Sequence, residues 1–122
     1  MRILCVDDCP TIQDLLAATL TRAGWQVLQA ENGKAALKLL ESESVDVIIS
    51  DVNMTVMGGF EFVTKVRQDP AHQSTPILFV TTETTDEFKQ IGQEIGANGW
   101  VSDPFDSAEL IGVLRRISLL TE

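Results

Sequence analysis

Short runs of apolar residues recur five times along this chain, and an amphipathic stretch separates each from the next. That alternation constrains the fold more than any other feature. The runs span residues 3–6, 26–30, 45–50, 77–80 and 99–102, and at four to six residues each they suit strands better than helices. Helical spacing fills the intervals. In residues 10–23, Ile12, Leu15, Leu16, Thr19 and Leu20 fall on one face, and Gly24 ends the segment. Further helices are expected over 34–43 after the Asn32-Gly33 turn, over 59–68 closed by Asp69-Pro70, and over 85–95 ended by Gly96. The last is expected over 106–119, with Asp106 as N-cap and Leu110, Val113, Leu114 and Ile117 turned inward. Strands this apolar throughout belong in a parallel sheet covered on both faces, and right-handed crossovers put helices on each side. The expected class is α/β, a doubly wound five-stranded sheet with five helices. One domain is expected over residues 1–122, with no linker, repeat or attached output domain.

The formal net charge of −9 argues against nucleic acid, whose phosphates call for clustered Lys and Arg, and against an anionic membrane surface. No apolar run approaches the ~20 residues of a membrane span, and the start turns acidic too early for a signal peptide. A cytoplasmic monomer is expected. Cys5 and Cys9 are too few for a disulfide framework or a zinc site; Cys5 reads as buried and Cys9 as a loop residue, neither with a redox role. His72 stands alone in a polar loop and reads as solvated.

In an open parallel sheet, ligands sit beyond the carboxyl ends of the strands. Asp7 and Asp8 follow the first strand, Asp51 and Asn53 the third, Thr81 and Thr82 the fourth, and Asp103 the fifth. Carboxylates gathered on one edge repel each other and resist desolvation, and a hard divalent cation removes the conflict. Asp8 and Asp51 are natural Mg²⁺ ligands, and Asp51 is also a candidate nucleophile toward a phosphoryl group. Thr81 is placed to donate a hydrogen bond to a phosphoryl oxygen.

Four runs together carry a resemblance: Val6-Asp7-Asp8, Ile49-Ser50-Asp51-Val52-Asn53-Met54, Val80-Thr81-Thr82-Glu83 and Gly99-Trp100-Val101-Ser102-Asp103-Pro104-Phe105. The chain resembles, over its whole length, the receiver domain of bacterial response regulators, of the CheY-like chemotaxis type. The resemblance implies a flavodoxin-like sheet in the order 2-1-3-4-5, an order that comes with the family and not from the pattern. It implies Asp51 as phosphoacceptor, charged by a histidine kinase. It implies a metal site of Asp7, Asp8, Asp51 and the backbone carbonyl of Asn53, with Mg²⁺ or Mn²⁺ as the ion and Asp7 acting through water. Thr81 would be the switch hydroxyl, and Trp100 the aromatic that turns inward when Thr81 moves. The partner surface would lie on the fourth helix, fifth strand and fifth helix, with Lys89, Gln93 and Trp100 in it. The peptide before Pro104 would be cis.

The departures point elsewhere. The family places a lysine just before the strand-five proline, and this chain has Asp103 there. A carboxylate cannot make a lysine's contact with a phosphoryl group. Thr55 stands where proline is usual and Gly58 where an acid is common, changes expected to loosen the loop and spare the chemistry. The alternative reading is a pseudo-receiver that binds its partner without productive phosphorylation. A phosphatase with an aspartyl-phosphate intermediate would need an acid where Asn53 stands. A flavin binder would need a phosphate-cradling loop where Asp7 and Asp8 would repel the ligand. The protein is expected to be a phosphoacceptor and signalling protein rather than an enzyme.

Overall fold

Along β1 (Arg2–Val6) the side chains of Ile3 and Cys5 face one side of the sheet and those of Leu4 and Val6 the other, and all four are buried. The same two-residue period divides Val47 and Ile49 from Ile48 in β3 (Val47–Ser50), and Leu78 and Val80 from Ile77 and Phe79 in β4 (Ile77–Thr81). A strand apolar on both faces needs a layer on each. The computed structural model, described over residues 1–119, supplies both. On one face lie α1 (Pro10–Arg22) and α5 (Ser107–Ser118), which bury Leu16, Leu20, Leu110, Leu114 and Ile117. On the other lie α2 (Gly33–Leu40) and α3 (Gly59–Gln68), which bury Ala36, Leu40, Phe62, Val63 and Val66. There α4 (Asp86–Glu94) also packs, close to Phe79 and Trp100. With β2 (Gln26–Ala30) and β5 (Gly99–Ser102) at the edges, the sheet is parallel in the order β2-β1-β3-β4-β5. Each fully buried Leu, Ile or Phe contributes roughly 1.5–3 kcal/mol.

The helices start where side chains accept orphan backbone N–H groups. Asn32 takes the N–H of Ala35, Thr85 that of Phe88 and Asp106 that of Ala108. α1 begins instead on Pro10, whose ring presets the helical φ. Boundaries differ from the sequence expectation by up to three residues. β3 starts at Val47 and not at residue 45, because Asp46 turns its side chain back to the backbone N–H of Arg2 at 2.6 Å.

Two expectations fail. Leu15 is 46% exposed, and the inward position beside Leu16 belongs to Gln13, 8% exposed. The Gln13 carboxamide donates to the carbonyls of Ala30 (2.7 Å), Asp7 (2.9 Å) and Cys5 (3.3 Å), so it ties α1 to two strand ends. Val113 is half-buried and packs against the core, as expected. His72 is buried, not solvated: it closes a 3-10 turn at Pro70–His72, its ring 3.4 Å from the Thr75 hydroxyl, and its carbonyl accepts from Arg67 at 2.8 Å. Cys5 is buried as expected, and burial pushes its thiol up to about 12, which leaves it unreactive. No helix among the described residues is long and apolar enough to cross a membrane.

Candidate functional site

The carboxyl edge of the sheet is assembled by backbone bonds that outrun the strands. Asp7 donates its N–H to the carbonyl of Ala30 at 3.1 Å, and Asp51 donates to that of Val6 at 3.0 Å. Asp103 donates to that of Thr81 at 2.9 Å. Each acid is therefore held one residue past a strand end, where its side chain faces the same edge. Gly59 lets α3 start close behind: a Cβ there would run into the carbonyl oxygen of Asp51.

Asp7, Asp8 and Asp51 each bring one carboxylate oxygen within 4.8 Å of the others. They differ in depth: Asp7 is buried, Asp51 half-buried and Asp8 exposed. Burial pushes the Asp7 carboxyl up to about 6; the N–H of Cys9, at 2.9 Å, pulls it down, and the charges of Asp51, Asp8 and Asp103 push it up again. Burial also raises Asp51, against the hydroxyl of Thr81 and the N–H groups of Val52 (2.7 Å) and Asn53, with Asp8 adding to the rise. The other oxygen-side restraint is on Asp8, which accepts the N–H of Thr55 at 3.1 Å.

Among the described residues no lysine or arginine forms an ion pair with these acids; the ion pair present is Arg2 with Glu43 at 2.8 Å. A buried acid whose pKa is raised, beside two more carboxylates and without a cation, fits a hard divalent ion with oxygen ligands. Asp103 is half-buried and outside the group of three, yet its charge reaches Asp7. The Asp103–Pro104 peptide is cis, as expected.

Thr81 is 1% exposed, and its hydroxyl lies between Asp51 and the N–H of Glu83, which it accepts at 3.2 Å. Trp100 sits inward: its ring centroid lies 5.1 Å from that of Phe79 and 6.5 Å from that of Phe60. Its indole N–H donates to the carbonyl of Glu83 at 2.7 Å. Lys89, Gln93 and Trp100 line one groove of about 230 Å³ between α4 and β5, with Ala97, Asn98 and Gly99. Asp7, Asp8, Asp51 and Thr81 thus come together, and Lys89, Gln93 and Trp100 form a second cluster around the groove.

Two contributors were not singled out in the sequence. Glu83 bonds Thr81, Trp100 and, through its carboxylate, the side chain of Asn53 at 2.8 Å. Gly92, the one buried residue of α4, makes the space in which the Trp100 ring lies. A lone Glu in a polar loop gives no sign of three partners, though its place two residues after Thr81 was visible. Gly92 inside a helical pattern was the better signal, since glycine there costs helix stability unless close packing requires it.

The comparisons agree with this geometry. The model of the family described as response regulator receiver domain matches residues 3–115. A chemotaxis protein CheY homolog of Campylobacter jejuni is 40% identical, over 86% of this chain and 82% of its own. Protein PilH of Pseudomonas aeruginosa is 34% identical, over 95% of this chain and 96% of its own. The crystal structure of chemotaxis protein CheY4 of Vibrio cholerae superposes with a TM-score of 0.91 at 46% identity, covering 95% of this chain and 97% of that one.

Proposed function

The chain belongs to the response-regulator receiver family, whose CheY-like members work in phosphorelay signalling, and from that premise we propose that Asp51 accepts a phosphoryl group from a histidine kinase beside a bound Mg²⁺. An Asp51 carboxylate oxygen forms the bond to phosphorus as the bond from phosphorus to the donor's imidazole nitrogen breaks, and that nitrogen takes up a proton. Asp8, Asp51 and the backbone carbonyl of Asn53 would hold the ion and Asp7 would reach it through water, with Mn²⁺ as the alternative ion. When bound, the ion would supply positive charge to the phosphoryl oxygens. Thr81 then turns its hydroxyl to the phosphoryl group. The observation that carries this reading is the convergence of the Asp7, Asp8 and Asp51 oxygens within 4.8 Å, with the Thr81 hydroxyl bonded to Asp51.

The protein acts as a monomeric cytoplasmic signalling protein and not as an enzyme turning over a substrate. Its target is a protein that docks on the face of α4, β5 and α5, around Lys89, Gln93 and Trp100. The net charge of −9 supports a protein partner over nucleic acid or membrane. Incubation with a small phosphodonor and Mg²⁺ followed by mass spectrometry tests the reading: one added phosphoryl group is expected, and none in Asp51→Ala. Equal labelling of both would sink it.

One observation favours a second reading. The charge of Asp103 bears on Asp7, so the residue in the lysine's place adds repulsion to the pocket. In that reading the chain is a pseudo-receiver with constitutive binding, and the same labelling experiment then yields no phosphoprotein.

A further inference from the structure

The two ends of the Gln13 carboxamide meet different surroundings. Its nitrogen carries two protons and reaches the carbonyls of Ala30 at 2.7 Å, Asp7 at 2.9 Å and Cys5 at 3.3 Å. Its oxygen is buried and has no hydrogen-bond partner. An unpaired buried acceptor costs stability. Leu16 and Leu20, on the same helix, bury apolar side chains without that cost. What sets Gln13 apart from them is the set of bonds its nitrogen makes.

Those bonds converge on one residue. The Asp7 carbonyl takes the amide directly, and among the described residues it has no other hydrogen-bond partner. The Ala30 carbonyl takes the same amide and also the Asp7 N–H, the latter at 3.1 Å. Both backbone groups of Asp7 are thus fixed through one carboxamide. The Asp7 carbonyl and the Asp8 N–H share a peptide plane, so holding that carbonyl sets the direction in which Asp8 leaves β1. Gln13 is itself anchored: its N–H donates to the Cys9 carbonyl at 3.0 Å, and its carbonyl accepts the Gln29 side chain at 3.3 Å. The segment from Asp7 to Gln13 is closed on itself, with Asp8 inside it.

We propose that Gln13 is a positioning residue for the acid pocket, holding the Asp7–Asp8 peptide so that the Asp8 carboxylate faces Asp51 and the loop beyond it. Asp8 is exposed, and among the described residues its carboxylate has one hydrogen bond, from the N–H of Thr55 at 3.1 Å. A side chain with so little packing is aimed by its backbone. The inference deepens the proposed function and rests on its assignment of Asp7, Asp8 and Asp51 to a cation; a metal-free readout keeps the two apart.

The experiment takes the full chain and measures amide hydrogen exchange by NMR without divalent ions, then titrates Mn²⁺ by calorimetry. Gln13→Met keeps the length of the side chain and removes the donor. Leu20→Ala loosens the same helix and leaves the carboxamide in place. Gln13→Met is expected to speed exchange of the Thr55 amide about tenfold, because Asp8 no longer holds it. Its Mn²⁺ dissociation constant should rise on the order of tenfold. Leu20→Ala should lower the midpoint of urea unfolding and move neither value. A folded Gln13→Met that keeps the parent exchange rate, or the parent affinity for Mn²⁺, overturns the proposal. So does a Leu20→Ala that matches Gln13→Met. Should Gln13→Met not fold, the parent decides: the side-chain amide protons of Gln13 are expected to exchange far more slowly than those of exposed Gln73, and equal rates overturn the proposal. A parent that binds no Mn²⁺ defeats the metal assignment, and the Thr55 amide then decides for Gln13 alone.

Discussion

One oxygen of the Asp8 carboxylate accepts the backbone N–H of Thr55 at 3.1 Å, so the turn after β1 and the loop after β3 are tied across the acid pocket. Asp8 thus has two places in the pocket, as one of three carboxylates that could hold a cation and as the clamp on the loop that carries Asn53. Asp8→Ala removes both. Binding of Mg²⁺ or Mn²⁺, expected at millimolar concentration or better in the parent, should weaken at least tenfold by calorimetry. Asp8→Asn should bind equally poorly yet keep the loop, read as protection of the Thr55 amide from hydrogen exchange.

Asp7 makes stability depend on pH. Its folded pKa of about 6 lies above the ordinary 3.8, so folding disfavours its ionised form. Below about pH 4 both states hold the proton and there is no penalty; the penalty grows with rising pH and is complete above about pH 6, at roughly 3 kcal/mol. Asp51, raised in the same direction, adds to it. In EDTA, urea unfolding of the parent minus that of Asp7→Asn should show this loss between pH 4 and 6.5. Saturating Mg²⁺ should cancel it at pH 7 and do little at pH 4.5. A difference that is flat across the range would refute the assignment.

Asp103→Lys changes the pocket by two unit charges, from negative to positive. Each unit charge several Å away is worth on the order of a kcal/mol at an effective dielectric of about 20. The phosphorylated fraction at a fixed dose of phosphodonor should rise several-fold, and the change in Trp100 emission should strengthen. Asp103→Ala should fall between the two. A parent that phosphorylates fully and responds to neither substitution would show that Asp103 does not hinder switching.

Val56 has φ of 69°, and the N–H of Met57 reaches back to the carbonyl of Thr55 at 2.7 Å, which makes Val56 the middle of a tight three-residue turn. A β-branched residue is strained there, and at 76% exposure it gains little from packing. Val56→Asn, better suited to positive φ, should raise the unfolding free energy by about 1 kcal/mol with an unchanged denaturant slope.

Gly92→Ala should improve α4 as an isolated helix by about 1 kcal/mol and still destabilise the protein, because overpacking against Trp100 costs roughly 1–3 kcal/mol. Emission from Trp100 should move to the red. A blue shift or no shift would mean the ring does not lie beneath Gly92.

The strands and the edge acids were legible because both obey short-range rules. A buried parallel strand reads as an apolar run, and a residue just past it must lie on the carboxyl edge, which is why Asp7, Asp8, Asp51 and Thr81 could be placed together. Residues whose role depends on a distant partner were not. Gln13 looks like a polar surface residue, yet its amide N–H groups are taken by the carbonyls of Cys5, Asp7 and Ala30, which offsets part of the cost of its burial. Leu15, two positions on and so on the opposite side of α1, lies at the surface. His72 had no partner in sequence, but Arg67 folds back onto its carbonyl. The inward seat of Trp100 rests on Gly92, eight residues away, and nothing in either residue alone announces the pairing.

The backbone of Asp103 serves the sheet, through its N–H on Thr81, while among the described residues its carboxylate has no hydrogen-bond or ion-pair partner. What that side chain brings to the folded state is charge, through its repulsion of Asp7. A neutral or basic side chain there would leave the strand pairing intact and lift that repulsion from Asp7, so the sign of the charge at this place can change without rebuilding the sheet.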